Sequence, residues 1–222
     1  MEKAIIYQIF TRLFGNTNTT RKHNGTLTDN GCGKLNAFTP AVLRRIKELG
    51  ATHVWYTGVI RHATTTDYTR YGIPRQHPAV VKGNAGSPYA ITDYYDIDPD
   101  LATNVDKRMN EFESLVKRTH KAGLKMIIDF VPNHVARQYK STAKPKGIAD
   151  FGENDNTGMQ FSPQNNFYYC PEQSFAADID LYHGEELPYE EFPAKATGND
   201  CFGNRPGRND WYETVKLNYG VD

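Results

Sequence analysis

Hydrophobic and polar positions in the first two-thirds of the chain switch between a strand period and a helix period. Ala4 to Phe10 is a short β-branched and aromatic run, which predicts a strand. A polar stretch rich in Gly and Asn follows, from Gly15 to Asn36. Val42, Leu43, Ile46 and Leu49 then recur at helical spacing, with Thr39 at the N-cap, Pro40 at the first helical position and Gly50 past the end. Those residue types start and stop helices. Thr52 to Val59 predicts a second strand. From Ile60 to Pro88 no period holds, and a connection of that length generally binds or gates something. A second helix is expected near Asp106 to Lys121, with Met109, Phe112, Leu115 and Val116 on one face and Gly123 as its stop. Leu124 to Val131 is nearly continuous in apolar residues, which predicts a third strand buried on both faces of a parallel sheet covered by helices.

After His134 the rhythm changes. Residues 135–222 are rich in Asn, Gly, Pro and aromatics and carry no helical repeat. Trp211, Val215, Leu217 and Tyr219 alternate with Tyr212, Thr214, Lys216 and Asn218 as in a half-buried strand, and Glu213 is the one charge on the apolar side. Phe167 to Cys170 reads as another short strand. The expected division is a β/α part over 1–134 and an irregular, mostly β inserted domain over 135–222. Strand–helix–strand–helix–strand order leaves two architectures, a doubly wound sheet or a β/α barrel.

Composition narrows the function. Twenty-six Lys plus Arg balance twenty-six Asp plus Glu, which argues against a nucleic-acid partner, because phosphate-neutralising surfaces leave a basic excess. Mean hydropathy is −0.67, and no window approaches the run of about 18 apolar residues that a spanning helix needs. Met1 to Gln8 turns polar too early for a signal peptide. The expectation is a cytoplasmic protein with no membrane partner. Cys32, Cys170 and Cys201 lie too far apart for a zinc site and are odd in number for a disulfide framework. Fourteen Tyr, eleven Phe and two Trp supply flat faces with polar tips, which suit sugar grooves and ordinary interfaces alike.

Ligands of either architecture gather at the carboxyl ends of the strands. The turn after the first strand, Thr11 to Asn16, has no G-x-G-x-x-G and no phosphate loop, which sets a nucleotide site aside. Asp129 stands inside the apolar third strand, where an unpaired carboxylate is costly, so it requires a partner. A structural network and membership of a site are equally consistent with that acid. Pro132 ends the strand and delivers Asn133 and His134 to the rim. Singly, such residues are most often an ordinary turn Asn and a polar loop His.

Together they carry more. Asp129-Phe130-Val131-Pro132-Asn133-His134 resembles the first signature of the α-amylase family of glycoside hydrolases, D-x-V-x-N-H. Ile6 to Phe14 is similar to the family's opening strand, Leu49 to Trp55 to its L-G-x-T-x-x-W second strand, and Pro88 to Pro99 to its G-Y-x-x-x-D-Y-x-x-I-D-P segment. Lys216-Leu217-Asn218 is a loose version of the L-N motif that closes the inserted domain. The resemblance implies an α/β chain forming an incomplete TIM (β/α)8 barrel of about three strands, with an irregular β-rich insertion after strand 3. It implies that Tyr89 stacks on the sugar next to the scissile bond, that His134 hydrogen-bonds the same sugar, and that Asp129 is a buried organiser of the site and not the nucleophile. Asn133 falls where many members place a calcium ligand, and the implied partner is an α-linked glucan or oligosaccharide.

The chain departs from the pattern at Pro88 for the usual Gly, at Ala90 for a frequent Asp, and at Thr57-Gly58 for a common Thr-Pro. The missing acid at 90 separates it from the oligosaccharide-cleaving relatives that use it. The family's nucleophile, acid/base and third acid follow strands four, five and seven, so no Asp or Glu present here is assigned a catalytic role. The function expected is the N-terminal portion of a retaining α-amylase-like glycoside hydrolase, inactive as this chain alone. The alternative is a non-catalytic carbohydrate-binding or structural piece. Three parallel strands cannot close a barrel, and the apolar edge at Ile127, Ile128 and Val131 predicts self-association.

Overall fold

The computed structural model describes residues 3–177 and 188–220. In chain order the elements are β1 (Ile6–Phe10), α1 (Leu27–Asn30), α2 (Pro40–Glu48), β2 (His53–Thr57), β3 (Ile60–His62), β4 (Ile91–Ile97), α3 (Arg108–Lys121), β5 (Lys125–Ile128), β6 (His134–Ala136), β7 (Tyr169–Cys170), β8 (Ala194–Lys195) and β9 (Thr214–Lys216), with short 3₁₀ turns between them. β1, β2 and β5 form one parallel sheet in that order. Its register aligns Gln8 with Trp55 and Trp55 with Ile127. Parallel neighbours need crossovers, and α2 and α3 provide them.

α2 forms where its caps predict. The Thr39 side chain accepts from the Val42 N–H, and Pro40 occupies the first turn. Its buried residues, Leu43 and Ile46, meet Leu115 of α3 and Ile9, Val54 and Tyr56 of the sheet in one core. Phe38 completes this core, stacked on Phe14 and edge-on to Tyr56. Arg118 of α3 donates to the carbonyls of Phe38 and Leu35, which fixes the helix against the turn ahead of α2. Leu49, placed on the buried face by its spacing, is 70% exposed because it caps the helix beyond the last inward turn.

Two expectations need correction. The third strand is not buried on both faces. Leu124 is buried and Met126 touches the core, but Ile128 and Phe130 are exposed. Among the described residues β5 has a strand neighbour on one side only, and the face opposite the helices leaves Ile6 and Phe10 open as well. The stretch from Ile60 is also not without structure, because β3 pairs antiparallel with β4 through two register shifts. Its period is hidden because the inward residues are Arg61 and His62, both buried.

Beyond β5 the described residues build short antiparallel ladders, β6 with β9 and β7 with β8. Val135, Phe167, Tyr169, Val215 and Leu217 pack as a separate cluster. The expected alternation is therefore real at Val215 and Leu217, while Trp211 and Tyr219 at its two ends are exposed.

Candidate functional site

The carboxyl end of β5 hands over directly to the site. Asp129 is half-buried, not fully buried as expected, and both its oxygens are partnered: Trp55 Nε1 donates to Oδ1 at 2.9 Å and the Gly58 N–H to Oδ2 at 3.1 Å. Gly58 sits at φ +77°, and a Cβ there would stand 2.9 Å from Pro88 Cβ. Glycine is thus required twice, by the left-handed backbone and by the close approach of Pro88. Pro88 leads into Tyr89, whose ring is 40% exposed. Partial burial and then the Asp129 charge raise the Tyr89 phenol above its ordinary pKa, which keeps it protonated.

His134 opens β6 and is 7% exposed. Its backbone is held from beneath: Tyr94 Oη donates to the Val131 and His134 carbonyls, and Tyr219 Oη to that of Pro132. The imidazole hydrogen-bonds the Tyr89 backbone and meets the Trp211 ring edge-on at 5.2 Å. Burial, and then the Lys216 charge, lower its pKa against the opposing pull of the Tyr89 contact, so the ring is neutral at neutral pH. Gly198 lets this packing exist, since a Cβ there would fall 2.8 Å from His134 Cβ and 2.6 Å from Thr214 Oγ1.

Tyr89 and His134 share a hollow of about 220 Å³ with Val131, Trp211, Lys82 and Glu213. The volume lies below the roughly 300–1,000 Å³ of drug-sized clefts, so it suits one ring and not several. Asp129 stands behind Tyr89 and is not part of the lining. Sequence reasoning missed Trp211, Lys82 and Glu213 as site residues. Glu213 left a signal as the charge that interrupts an apolar alternation, and Lys82 only as a member of the 60–88 connection expected to bind or gate something. A larger hollow of about 610 Å³ between the loop after β1 and the loop ahead of β4 contains none of the candidate site residues, although Thr65, Asp67 and Asn84 of the 60–88 connection line it.

Comparison with known proteins decides the family. The model of the α-amylase catalytic domain matches residues 8–188. The chain belongs to the α-amylase family. It is 32% identical over 139 residues to a trehalose-6-phosphate hydrolase of Bacillus subtilis, covering 63% of this chain and 18% of that protein. It is 28% identical over 174 residues to Maltase A2 of Drosophila melanogaster, covering 74% and 24%. Among solved structures, an α-amylase from Lactobacillus plantarum aligns with a TM-score of 0.42 at 28% identity, covering 63% of this chain and 24% of that one. The chain therefore spans a quarter or less of the length of these relatives. Among the described residues no helix is long and apolar enough to cross a membrane.

Family resemblance raises the question of calcium at Asn133, and the geometry answers it locally. Asn133 Oδ1 accepts from Lys216 Nζ at 3.0 Å, and the same ammonium pairs with Asp200 at 2.7 Å. Asn133 Nδ2 donates to the Gly198 carbonyl at 2.7 Å and lies 3.0 Å from His134 Nδ1. Calcium takes six to eight oxygens. Here the asparagine oxygen is engaged by a lysine, and among the described residues no three His, Cys, Asp or Glu are grouped to hold a metal. These residues, as arranged, do not fit the ion.

Proposed function

We propose that this chain carries the sugar-gripping side of an α-amylase-type glycoside hydrolase, which seats one ring of an α-linked glucan or oligosaccharide between Tyr89 and His134. The observation that carries this reading is the shared hollow: a signature His, neutral and buried, held against the backbone of an exposed Tyr at the carboxyl end of a parallel strand. The Tyr ring offers an apolar face to the sugar, and the neutral imidazole, whose single N–H is directed at the Tyr89 backbone, fixes the position of that ring. Asp129 organises the rim by holding Trp55 and Gly58, and through Gly58 the Pro88-Tyr89 step. Lys216 supplies at Asn133 the positive charge that calcium supplies elsewhere in the family.

Retaining cleavage uses two carboxyl groups about 5 Å apart. The hollow offers one, Glu213, already paired with Lys82. This favours a chain that binds sugar and, by itself, does not cleave it. The activity of the longer enzyme type, transfer of a glucosyl unit to water or to another sugar, requires the carboxylates of later strands.

Calorimetric titration of maltose into the chain tests the binding, with Tyr89→Ala as control. Saturable binding that weakens about tenfold or more in the variant, ~1.4 kcal/mol, is expected; equal binding by both would remove Tyr89 from the site. A chromogenic α-glucoside tests the second part, and sustained turnover by residues 1–222 would show that the chain does its own chemistry.

A further inference from the structure

The larger hollow, of about 610 Å³ between the loop after β1 and the loop ahead of β4, takes no part in the reading above. Its volume falls within the roughly 300–1,000 Å³ of small-molecule clefts and is nearly three times that of the hollow at Tyr89. One stretch of chain serves both: Lys82, Ser87 and Tyr89 line the smaller hollow, Asn84 and Ala85 the larger. Its two walls are tied together within the protein itself. Asn84 Nδ2 donates to the Asn24 carbonyl at 2.5 Å, which joins one loop to the other. Inside the loop after β1, Asn16 Nδ2 donates to the Asn30 carbonyl at 2.9 Å. The Asn30 side chain accepts from the Lys22 N–H at 2.7 Å and donates to the Lys22 carbonyl at 2.9 Å. A hollow ordered in this way leaves less freedom to be lost when a ligand binds.

The lining selects among ligands. Leu13, which is 64% exposed, and Leu27 supply apolar surface. Arg21, Thr28 and Asp67 are exposed polar side chains on the same hollow. Arg12 adds no net charge, because its guanidinium is paired with buried Asp100 at 2.7 Å. Asp67 is held as a carboxylate: the Thr69 N–H and Oγ1 both donate to its Oδ1, at 2.8 and 2.7 Å, and lower its pKa. Arg21 and Asp67 then balance, so the hollow holds no excess of positive charge to attract a phosphate or carboxylate ligand. Apolar surface bordered by both donors and acceptors instead matches a pyranose, whose C–H faces are apolar and whose hydroxyls donate and accept. We infer that this hollow is a second carbohydrate site, which takes an uncharged oligosaccharide of two or more rings, with Asp67 accepting from its hydroxyls and Arg21 donating to them. The inference shares the class of ligand with the reading above and none of its residues.

Amide chemical shifts read the two hollows separately. Maltotriose is titrated into the isotope-labelled chain and into its Tyr89→Ala variant. The amides of Gly31, Thr66, Asp67 and Ala85 should shift saturably in both, with the same dissociation constant. Asp67→Ala and Arg21→Ala, both at exposed positions, should each weaken that binding about fivefold or more, the loss of a hydrogen bond to a charged group. Either variant suffices if the other does not fold. Inorganic phosphate added alone should give no saturable shift at these amides. Three results overturn the inference: no saturable maltotriose shift at these amides, a shift that disappears in Tyr89→Ala, or unchanged affinity in the folded Asp67 and Arg21 variants. Saturable phosphate binding that Arg21→Ala removes would make the hollow an anion site and overturn it as well. The reading at Tyr89 stands or falls on other amides. Shifts at Ser87 and Trp211 without any at Thr66 and Asp67 overturn the second site alone, and the reverse pattern supports the second site while removing the first.

Discussion

Arg61 links β4, which follows Tyr89, to residues 140–142, which follow His134. It is 2% exposed in β3 and faces two carboxylates, Asp93 and Asp96, that are 0% and 3% exposed in β4. One guanidinium nitrogen donates to Asp96 Oδ2 at 3.0 Å and Thr142 Oγ1 at 2.7 Å. The other donates to the Lys140 carbonyl at 2.8 Å and pairs with Asp93 Oδ2 at 3.0 Å. β4 begins just after Tyr89, and residues 140–142 lie just after His134, so Arg61 pins both approaches to the hollow. Arg108 supplies the only other close cation among the described residues, in a two-pronged contact with Asp96. With Arg61 present the two acids face two guanidinium groups; without it one negative charge stays buried and uncompensated.

Breaking a buried pair from one side costs about 3–5 kcal/mol, because the remaining charge keeps its desolvation penalty. Asp93 retains donors from Ser141 Oγ and from the backbone of Thr142 and Ala143, which places Arg61→Met nearer the lower end, at about 3 kcal/mol. A domain is generally stable by about 5–15 kcal/mol, so this loss is readable by urea unfolding. Asp93→Asn in the Arg61→Met background restores neutrality and should recover about 1.5 kcal/mol relative to the sum of the single changes. Maltose binding should weaken in Arg61→Met even under conditions where the variant remains folded. If Arg61→Met costs less than about 1 kcal/mol, or if the two substitutions simply add, the charge argument is refuted.

Other perturbations read other parts. Gly58→Ala forces a side chain into a left-handed backbone against Pro88 and should cost about 1–2 kcal/mol, whereas Gly58→Pro also removes the N–H that Asp129 accepts and should cost about 3–5 kcal/mol; equal costs would mean that this hydrogen bond contributes nothing. Because Lys216 engages Asn133, neither added calcium nor a chelator should move the thermal midpoint, and a calcium-dependent rise would show that the ion displaces the lysine. Buried His62 and Asp98 pair at 2.9 Å, which raises the His62 pKa and lowers that of Asp98. The His62 share of stability is then complete below its ordinary value, about 6.5, and is lost as pH rises through the raised value; the Asp98 share is complete above about 3.9 and is lost as pH falls through the lowered one. The midpoint difference between wild type and His62→Gln should therefore be largest between about pH 4 and 6.5, and a difference constant with pH would count against the pairing.

Legibility from sequence followed the range of the interactions involved. α2 was readable almost to the residue because Thr39, Pro40 and Gly50 act on backbone within a few positions of themselves. β3 and β4 were hidden because they bury Arg61, His62, Asp93 and Asp96, whose mutual satisfaction no hydrophobic period records. The apolar run of β5 announced a strand but not its exposure, since a run reports what a strand would bury against and not what is present to cover it. In the site, Asp129 and His134 were legible because they share a short signature with fixed strand-end geometry. Lys82 and Trp211 were not, since they reach the hollow from loops more than a hundred positions apart. Asn133 was found as a residue but not as an environment, because its partner, Lys216, lies 83 positions further on.

Two departures from the family pattern explain each other once they are seen in space. The pattern commonly has Pro where this chain has Gly58, and Gly where this chain has Pro88. The place a Gly58 Cβ would fill lies 2.9 Å from Pro88 Cβ, so the two positions face each other and only one of them has room for a ring. Exchanging the residues conserves that volume while moving a backbone N–H to position 58, where it donates to Asp129. A proline there could neither donate nor adopt φ +77°. The exchange therefore changes what holds Asp129 without changing Asp129 itself. It also stiffens the residue immediately ahead of Tyr89, because proline fixes its own φ. Less ordering of the Tyr89 approach is then left to be done when a sugar binds, which is the economy that a preorganised stacking residue provides.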